Sequence, residues 1–289
     1  MNTSIPPALD PAYKECLKLA ALHYENFPVA SLLLPKGARP HIAALYAFAR
    51  TADDFADEDL YEGRRVKELN GWEKSLRGAI RGEAAPPTLT AFAHTLQVFQ
   101  IPLRLPLDLL RAFRMDIVRH RWSTWNSLLY YCRHSANPVG RMVLYISGIR
   151  DEKIFRLSDF ICSGLQLINF WQDSSIDLSR GRIYYPKAEW KKAGIRERDL
   201  LAGKDTAATR LLVKNAVDFT ERYFRQGLPL LEKVHGRLRF EMRATYRGGM
   251  GILGKIRAMD YNVMKNRPAL NALDKIVIAT QSMVKGAQP

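Results

Sequence analysis

Apolar residues recur at three- and four-residue spacing through most of the chain, the period of a helix with one buried face. The spacing predicts helices over about 11–25, 40–57, 63–81, 87–100, 106–118, 123–148, 152–178, 205–235, 238–265 and 269–284. The breaks carry residues that end helices or form turns: Pro35-Lys36-Gly37, Pro86-Pro87, Pro102, Pro106, Gly181, Pro186, Gly194 and Pro268. No stretch alternates apolar and polar residues convincingly, as a half-buried strand would. There is no repeat of fixed period and no low-complexity linker. The pattern therefore predicts an all-α chain. It predicts one helical domain over residues 1–289, because short loops leave no hinge segment.

Composition changes this picture little. Apolar residues make up 47% and charged residues 25% of the 289 positions, an ordinary globular balance that excludes a disordered or fibrous chain. No run of 18 apolar residues predicts a membrane span. Met1 to Pro11 shows no basic region followed by an apolar one, so no signal peptide is expected, and Gly286-Ala287-Gln288-Pro289 is no prenylation box. Three cysteines, Cys16, Cys132 and Cys162, lack metal-site spacing and their odd number argues against a disulfide framework; a reducing cytoplasm fits.

Charge is more informative. The net value is +15, yet residues 1–60 hold five Lys/Arg against eight Asp/Glu, so the basic excess lies in the rest of the chain. A basic surface attracts nucleic acid, acidic lipid or phosphorylated substrates, or is simply solvated. Arg237-Leu238-Arg239 and the stretch from Arg243 to Arg247 are basic, but no nucleic-acid-binding motif accompanies them. Peripheral contact with an anionic membrane is the expected partner surface, and no nucleic acid is expected.

Two acidic clusters stand out. In Arg50-Thr51-Ala52-Asp53-Asp54-Phe55-Ala56-Asp57-Glu58, Asp53 and Asp57 are four apart and share one helix face. Tyr46 and Arg50 lie on the same stripe. In the second cluster Gln166, Asn169, Asp173 and Asp177 are spaced three, four and four, forming a polar seam on a helix otherwise rich in Phe, Leu, Ile and Trp. The seam holds amides and carboxylates without Lys or Glu, which predicts a lined cavity with water, metal or ligand in it. A lone Asp-x-x-x-Asp also suits a solvated face or a cap. Two pairs, each extending an apolar stripe, suit magnesium, which takes oxygen ligands and commonly binds one or two carboxylates plus substrate phosphate.

Taken in order, several segments resemble the squalene and phytoene synthase family of head-to-head prenyl synthases, from about Leu22 to Arg267. They are Ala30-Ser31-Leu32-Leu33-Leu34-Pro35; Tyr46-Ala47-Phe48-Ala49-Arg50 before the first pair; Tyr131-Cys132 with Val139-Gly140; Gln166-Leu167-Ile168-Asn169 before the second pair; and Arg180-Gly181-Arg182-Ile183-Tyr184-Tyr185-Pro186 after it. The resemblance implies an isoprenoid-synthase helical bundle around a central cavity. It implies Mg2+ and a prenyl diphosphate bound at Asp53, Asp57, Asp173 and Asp177. Arg50 and Arg182 would contact diphosphate oxygens, as a planar guanidinium does well. Gln166 and Asn169 would flank the metals, and Tyr46, Tyr131, Tyr184 and Tyr246 would line the chamber, where aromatic faces favour a cation. Each Tyr alone also suits a core position.

Details point to one branch. Asn26-Phe27-Pro28-Val29, Asn169-Phe170-Trp171-Gln172-Asp173, Ser174-Ser175 and the run from Tyr131 to Gly140 are similar to the bacterial hydroxysqualene synthases of hopanoid biosynthesis. That branch implies a carbon–oxygen lyase that expels diphosphate from presqualene diphosphate and captures the cation with water. A condensing prenyltransferase is the alternative, and a non-catalytic assembly protein of the same fold a further one. Gly249-Met250-Gly251-Ile252-Leu253-Gly254 reads G-x-G-x-x-G, with Asp274 near the spacing of a dinucleotide fingerprint. No buried strand precedes it, so close helix packing or a kink is expected and no nicotinamide cofactor. The six histidines form no metal pair, and only His134 lies inside a matching segment.

Overall fold

The computed structural model describes residues 5–22 and 36–283. The Asn26-Phe27-Pro28-Val29 and Ala30 to Pro35 segments lie outside the described residues. From the N-terminus the helices are α1 (Asp10–Leu22), α2 (Arg39–Asp57), α3 (Arg65–Ile80), α4 (Pro87–Val98), α5 (Arg104–Val118), α6 (Trp125–Ser135), α7 (Asn137–Ile146), α8 (Glu152–Gln172), α9 (Ser174–Ser179), α10 (Lys187–Lys192), α11 (Glu197–Leu201), α12 (Ala207–Arg225), α13 (Leu230–Lys233), α14 (Gly236–Ala258) and α15 (Ala272–Met283). The all-α class is as expected. Among the described residues the β pairing is one isolated bridge, Arg121 with Ile183.

Local chemistry sets many boundaries. Prolines open α2 and α4, where a missing N–H costs nothing. Reciprocal caps open α6 (Thr124 with Ser127) and α12 (Thr206 with Thr209), each satisfying two N–H groups that a helix start leaves unpaired. Three expected helices are interrupted. The stretch 123–148 divides at Ala136, two residues before Pro138, which has no N–H to give to the His134 carbonyl. The stretch 205–235 divides between α12 and α13, where Pro229 lies. The stretch 152–178 divides at Asp173, for a reason described below.

The chain divides into two compact units: Met1–Val118 with Pro138–Phe155, and Arg119–Asn137 with Arg156–Pro289. The first is cored by α1, α2, α4 and parts of α3, α5 and α7. Phe48 stacks on Phe92 with centroids 4.4 Å apart, and Ala44, Ala47 and Ala52 are fully buried, so small residues on α2 let neighbouring helices approach closely. A polar cluster sits inside this core. The Tyr13 hydroxyl lies 2.8–3.1 Å from His94, Thr95 and His41, and Thr95 donates to the Ala91 carbonyl. His94 is held below its ordinary value by burial.

In the second unit, α8, α12 and α14 pack through glycines. A Cβ on Gly249 would stand 3.0 Å from Ile168 and Phe224, and one on Gly227 would stand 2.6 Å from Ile161. Gly249 to Gly254 lie wholly inside α14. Close packing, expected for that motif, holds at Gly249 and at Gly251, whose added Cβ would lie 3.1 Å from Leu270.

Candidate active site

The first aspartate pair occupies the last turns of α2. Its helix face runs from Tyr46 through Arg50 to Asp53, Asp54 and Asp57, the apolar positions of the same helix being buried. Arg50 Nη2 lies 2.5 Å from Asp54 Oδ1 and its Nη1 3.8 Å from Asp53 Oδ2. Burial works against the Arg50 charge, but Asp54 and Asp53 outweigh it and hold the guanidinium above its ordinary value. The Tyr46 phenol is pushed up, first by burial, with Arg50 opposing and the aspartates adding. Its hydroxyl is buried without a hydrogen-bond partner among the described residues. Thus α2 presents an arginine, carboxylates and an unsatisfied phenol along two to three turns.

The second pair has a different local build. Asp173 is the single residue between α8 and α9, so the polar seam is not one continuous helix. Ser174 causes the joint. Its hydroxyl lies 2.9 Å from the Phe170 carbonyl and 3.0 Å from that of Trp171, a back-bonding that bends helices, and 2.7 Å from the Tyr185 hydroxyl. Burial pushes the Tyr185 phenol well up, so it stays a neutral donor to Ser174. Helical bonding still passes through the joint: Asp177 N–H donates to the Asp173 carbonyl at 2.9 Å, keeping the two aspartates one turn apart. Gly181, at φ +75°, then ends α9 and lets Arg182 N–H donate to the Asp177 carbonyl at 2.8 Å.

Arg267 was not anticipated from the sequence. Its Nε lies 2.5 Å from Asp173 Oδ1, while Gln172 Nε2 donates to the Pro268 carbonyl at 2.9 Å. The segment after α14 is thereby tied to the second motif. Asn169 is exposed and Gln166 half-buried beside buried Leu167, Ile168 and Phe170.

Of the expected aromatics, Tyr131 and Tyr184 come together. Tyr184 stacks on Phe170 at 3.8 Å, and Tyr131 stands 6.1 Å from Phe170 and 6.4 Å from Tyr184. Trp122, not anticipated, joins them at 4.9 Å from Tyr131. Tyr246 makes its ring contact elsewhere, stacking on Phe224 at 4.5 Å; burial pushes its phenol up, and its hydroxyl has no hydrogen-bond partner among the described residues.

The donor set fits magnesium. Each pair offers carboxylates one helical turn apart, hard oxygen ligands with part of their surface open. Among the described residues no three His, Cys, Asp or Glu side chains group closely enough to hold an ion by themselves. Magnesium rarely needs such a cage, because it keeps waters and takes substrate phosphate oxygens.

The squalene/phytoene synthase family model matches residues 20–274. The chain belongs to the squalene/phytoene synthase family. It is 36% identical over 212 residues to a hydroxysqualene synthase of Rhodopseudomonas palustris, covering 73% of this chain and 71% of that one. A hydroxysqualene synthase of Sinorhizobium fredii is 32% identical over 273 residues, covering 92% and 91%. Among solved structures, the squalene synthase HpnC of Alicyclobacillus acidocaldarius superposes with a TM-score of 0.84 at 39% identity, covering 89% of this chain and 97% of that one. Membership makes this chain an enzyme of squalene/phytoene synthase type with an isoprenoid-synthase fold. Among the described residues no helix is long and apolar enough to cross a membrane.

Proposed function

We propose that this family member is a hydroxysqualene synthase, converting presqualene diphosphate and water to hydroxysqualene, diphosphate and a proton. One observation carries the reading: each Asp-x-x-x-Asp turn is set beside an arginine, Arg50 and Arg267, in a chain whose relatives at 32–36% identity bear that name. Alternating carboxylate and guanidinium charge is what a magnesium–diphosphate ligand needs on its protein side. The reading treats the chain as one catalytic domain in which both pairs serve the same ionisation.

In this reading Arg50 and Arg182 bind diphosphate oxygens, and Gln166 and Asn169 orient the ligand beside Asp173 and Asp177. Magnesium, when bound by Asp53, Asp57, Asp173 and Asp177, supplies positive charge that offsets the charge growing on the leaving group. The carbon–oxygen bond breaks with its electron pair leaving on diphosphate. Tyr46, Tyr131, Tyr184 and Tyr246 turn aromatic faces to the cation. Water oxygen forms the new bond and releases its proton, so no hydride donor is consumed.

The test is a product assay with magnesium and no nicotinamide, offering farnesyl, geranylgeranyl and presqualene diphosphates separately. A C30 alcohol from presqualene diphosphate, with nothing from the shorter substrates, supports the reading. A second reading, condensation of two prenyl diphosphates, is favoured by the squalene synthase name of the 39%-identical structure and by a Thermus thermophilus phytoene synthase 30% identical over 287 residues. A coupled C30 or C40 product from farnesyl or geranylgeranyl diphosphate would decide for it. Silence with all three, together with no EDTA-sensitive diphosphate binding, would point to an assembly role.

The reading also includes contact with an anionic membrane, since substrate and product carry long hydrocarbon chains and the protein carries +15. Salt-sensitive binding to anionic liposomes, and none to duplex DNA, is the expected result.

A further inference from the structure

On the first unit, helices α3 and α5 border an open surface pocket of about 360 Å³ lined by Asn70, Glu73, Lys74, Arg77, Arg81 and Arg114, and by none of the α2 aspartates. Four cations thus share the lining with one carboxylate. That carboxylate organises two of them. Glu73 Oε1 accepts from Arg77 Nε at 3.1 Å and Nη2 at 2.8 Å, and Oε2 accepts from Arg114 Nη2 at 2.8 Å. Arg114 Nε is held by Asn70 Oδ1 at 3.0 Å. Burial pushes the Glu73 carboxyl up, but the bonds from Arg77 and Arg114 outweigh it, so Glu73 stays ionised.

Each guanidinium keeps its Nη1 amine outside these bonds. Lys74 makes no ion pair among the described residues, and Arg81 pairs only with Glu83, at the rim. The pocket therefore holds two guanidinium groups fixed by Glu73 and Asn70, each with its Nη1 amine outside those bonds, beside two adaptable cations and an uncompensated positive charge. Its volume is many times the ~30 Å³ share of one water. The remaining guanidinium Nη1 amines can direct N–H groups at phosphate oxygens, and lysine adds a point charge.

We propose that this pocket is a second oxyanion site, distinct from the aspartate motifs, that binds a phosphate group: either free diphosphate or the headgroup of an anionic phospholipid. The proposal does not depend on which reaction the enzyme performs.

The test uses the full chain in EDTA, so that metal-dependent binding at the aspartates is silent. Calorimetry with inorganic diphosphate forms one arm. Sedimentation with phosphatidylglycerol-containing vesicles, against phosphatidylcholine alone, forms the other. Two variants are compared: Arg77→Gln/Arg114→Gln, which removes the two fixed guanidinium groups, and Lys74→Gln/Arg81→Gln, which leaves the Glu73 pairing intact and protects against a mere folding defect. Binding should weaken about tenfold or more in the first and severalfold in the second, and fade with added salt. A response in the diphosphate arm assigns a free phosphate ligand; a response in the vesicle arm assigns a headgroup. Binding unchanged in both variants, no binding in either arm, or equal displacement by a polyglutamate peptide would overturn the proposal.

Discussion

Arg267 Nε stands 2.5 Å from Asp173 Oδ1, joining residues 94 apart in sequence. The contact places a cation on the first aspartate of the second motif, as Arg50 does on the first motif. Replacing Arg267 with Gln removes an exposed charge-assisted bond that contributes about 1 kcal/mol or less to folding, so its effect should fall on ligand binding at the motif. Turnover should fall by about 10- to 100-fold while the circular dichroism spectrum is unchanged. Wild-type turnover would show that Arg267 only decorates the surface.

Asp53→Asn and Asp173→Asn are expected to lower turnover by about a thousandfold or more, since each removes a carboxylate from a magnesium–diphosphate site. Helical content should persist, because Asp53 is partly exposed and Asp173 contributes a backbone joint that Asn also adopts. Steady-state kinetics with a magnesium titration checks this; full activity in either variant would contradict the metal-ligand assignment.

Ser174→Ala leaves the fully enclosed Tyr185 hydroxyl without its 2.7 Å partner. The cost of an unsatisfied buried hydroxyl is about 1–3 kcal/mol, seen as a lower urea midpoint. Tyr185→Phe should cost less, because Ser174 keeps the Phe170 carbonyl. A double-mutant cycle would return a coupling term between them; additive effects would refute the pairing.

Gly164→Ala tests the close packing of the second unit. The new methyl would meet the Phe224 ring, with Phe224 Cβ 2.9 Å away. Overpacking of this kind costs about 1–3 kcal/mol. Thermal melting should show a clear decrease in Tm, and an unchanged Tm would mean that Phe224 yields freely.

Acid sensitivity is expected from Glu221. Burial pushes its carboxyl up, but bonds from Arg225 and Arg257 outweigh it, so the folded value lies below the ordinary 4.5. A depressed carboxyl contributes stability that is present above the unfolded value and lost as pH falls through the folded one. Wild-type Tm should therefore drop on acidification below about pH 4.5, and Glu221→Gln should drop less. Parallel curves would show that other groups govern acid unfolding.

Much of the fold was legible because long helices repeat their burial pattern many times: α2, α3, α4 and α5 appear close to where apolar spacing puts them, whereas α14 ends at Ala258, short of the expected 265. The six- and five-residue helices α10 and α11 were not, since neither completes two turns of pattern. The break at Asp173 was hidden for another reason. It depends on Ser174 meeting Tyr185, a tertiary contact that spacing cannot express. Arg267 and Trp122 were missed likewise: each matters through partners brought up by the fold, Asp173 in one case and Tyr131 in the other. The aspartates themselves stood out because carboxylates one turn apart on an otherwise apolar helix need a local justification.

The most direct test of the central claim is the fate of water oxygen. Purified enzyme with magnesium and presqualene diphosphate, without nicotinamide, is run in 18O-labelled water and the extract read by mass spectrometry. Water capture predicts a C30 alcohol carrying one 18O atom, alongside released diphosphate. An unlabelled alcohol, or a C30 hydrocarbon with no alcohol, would contradict it.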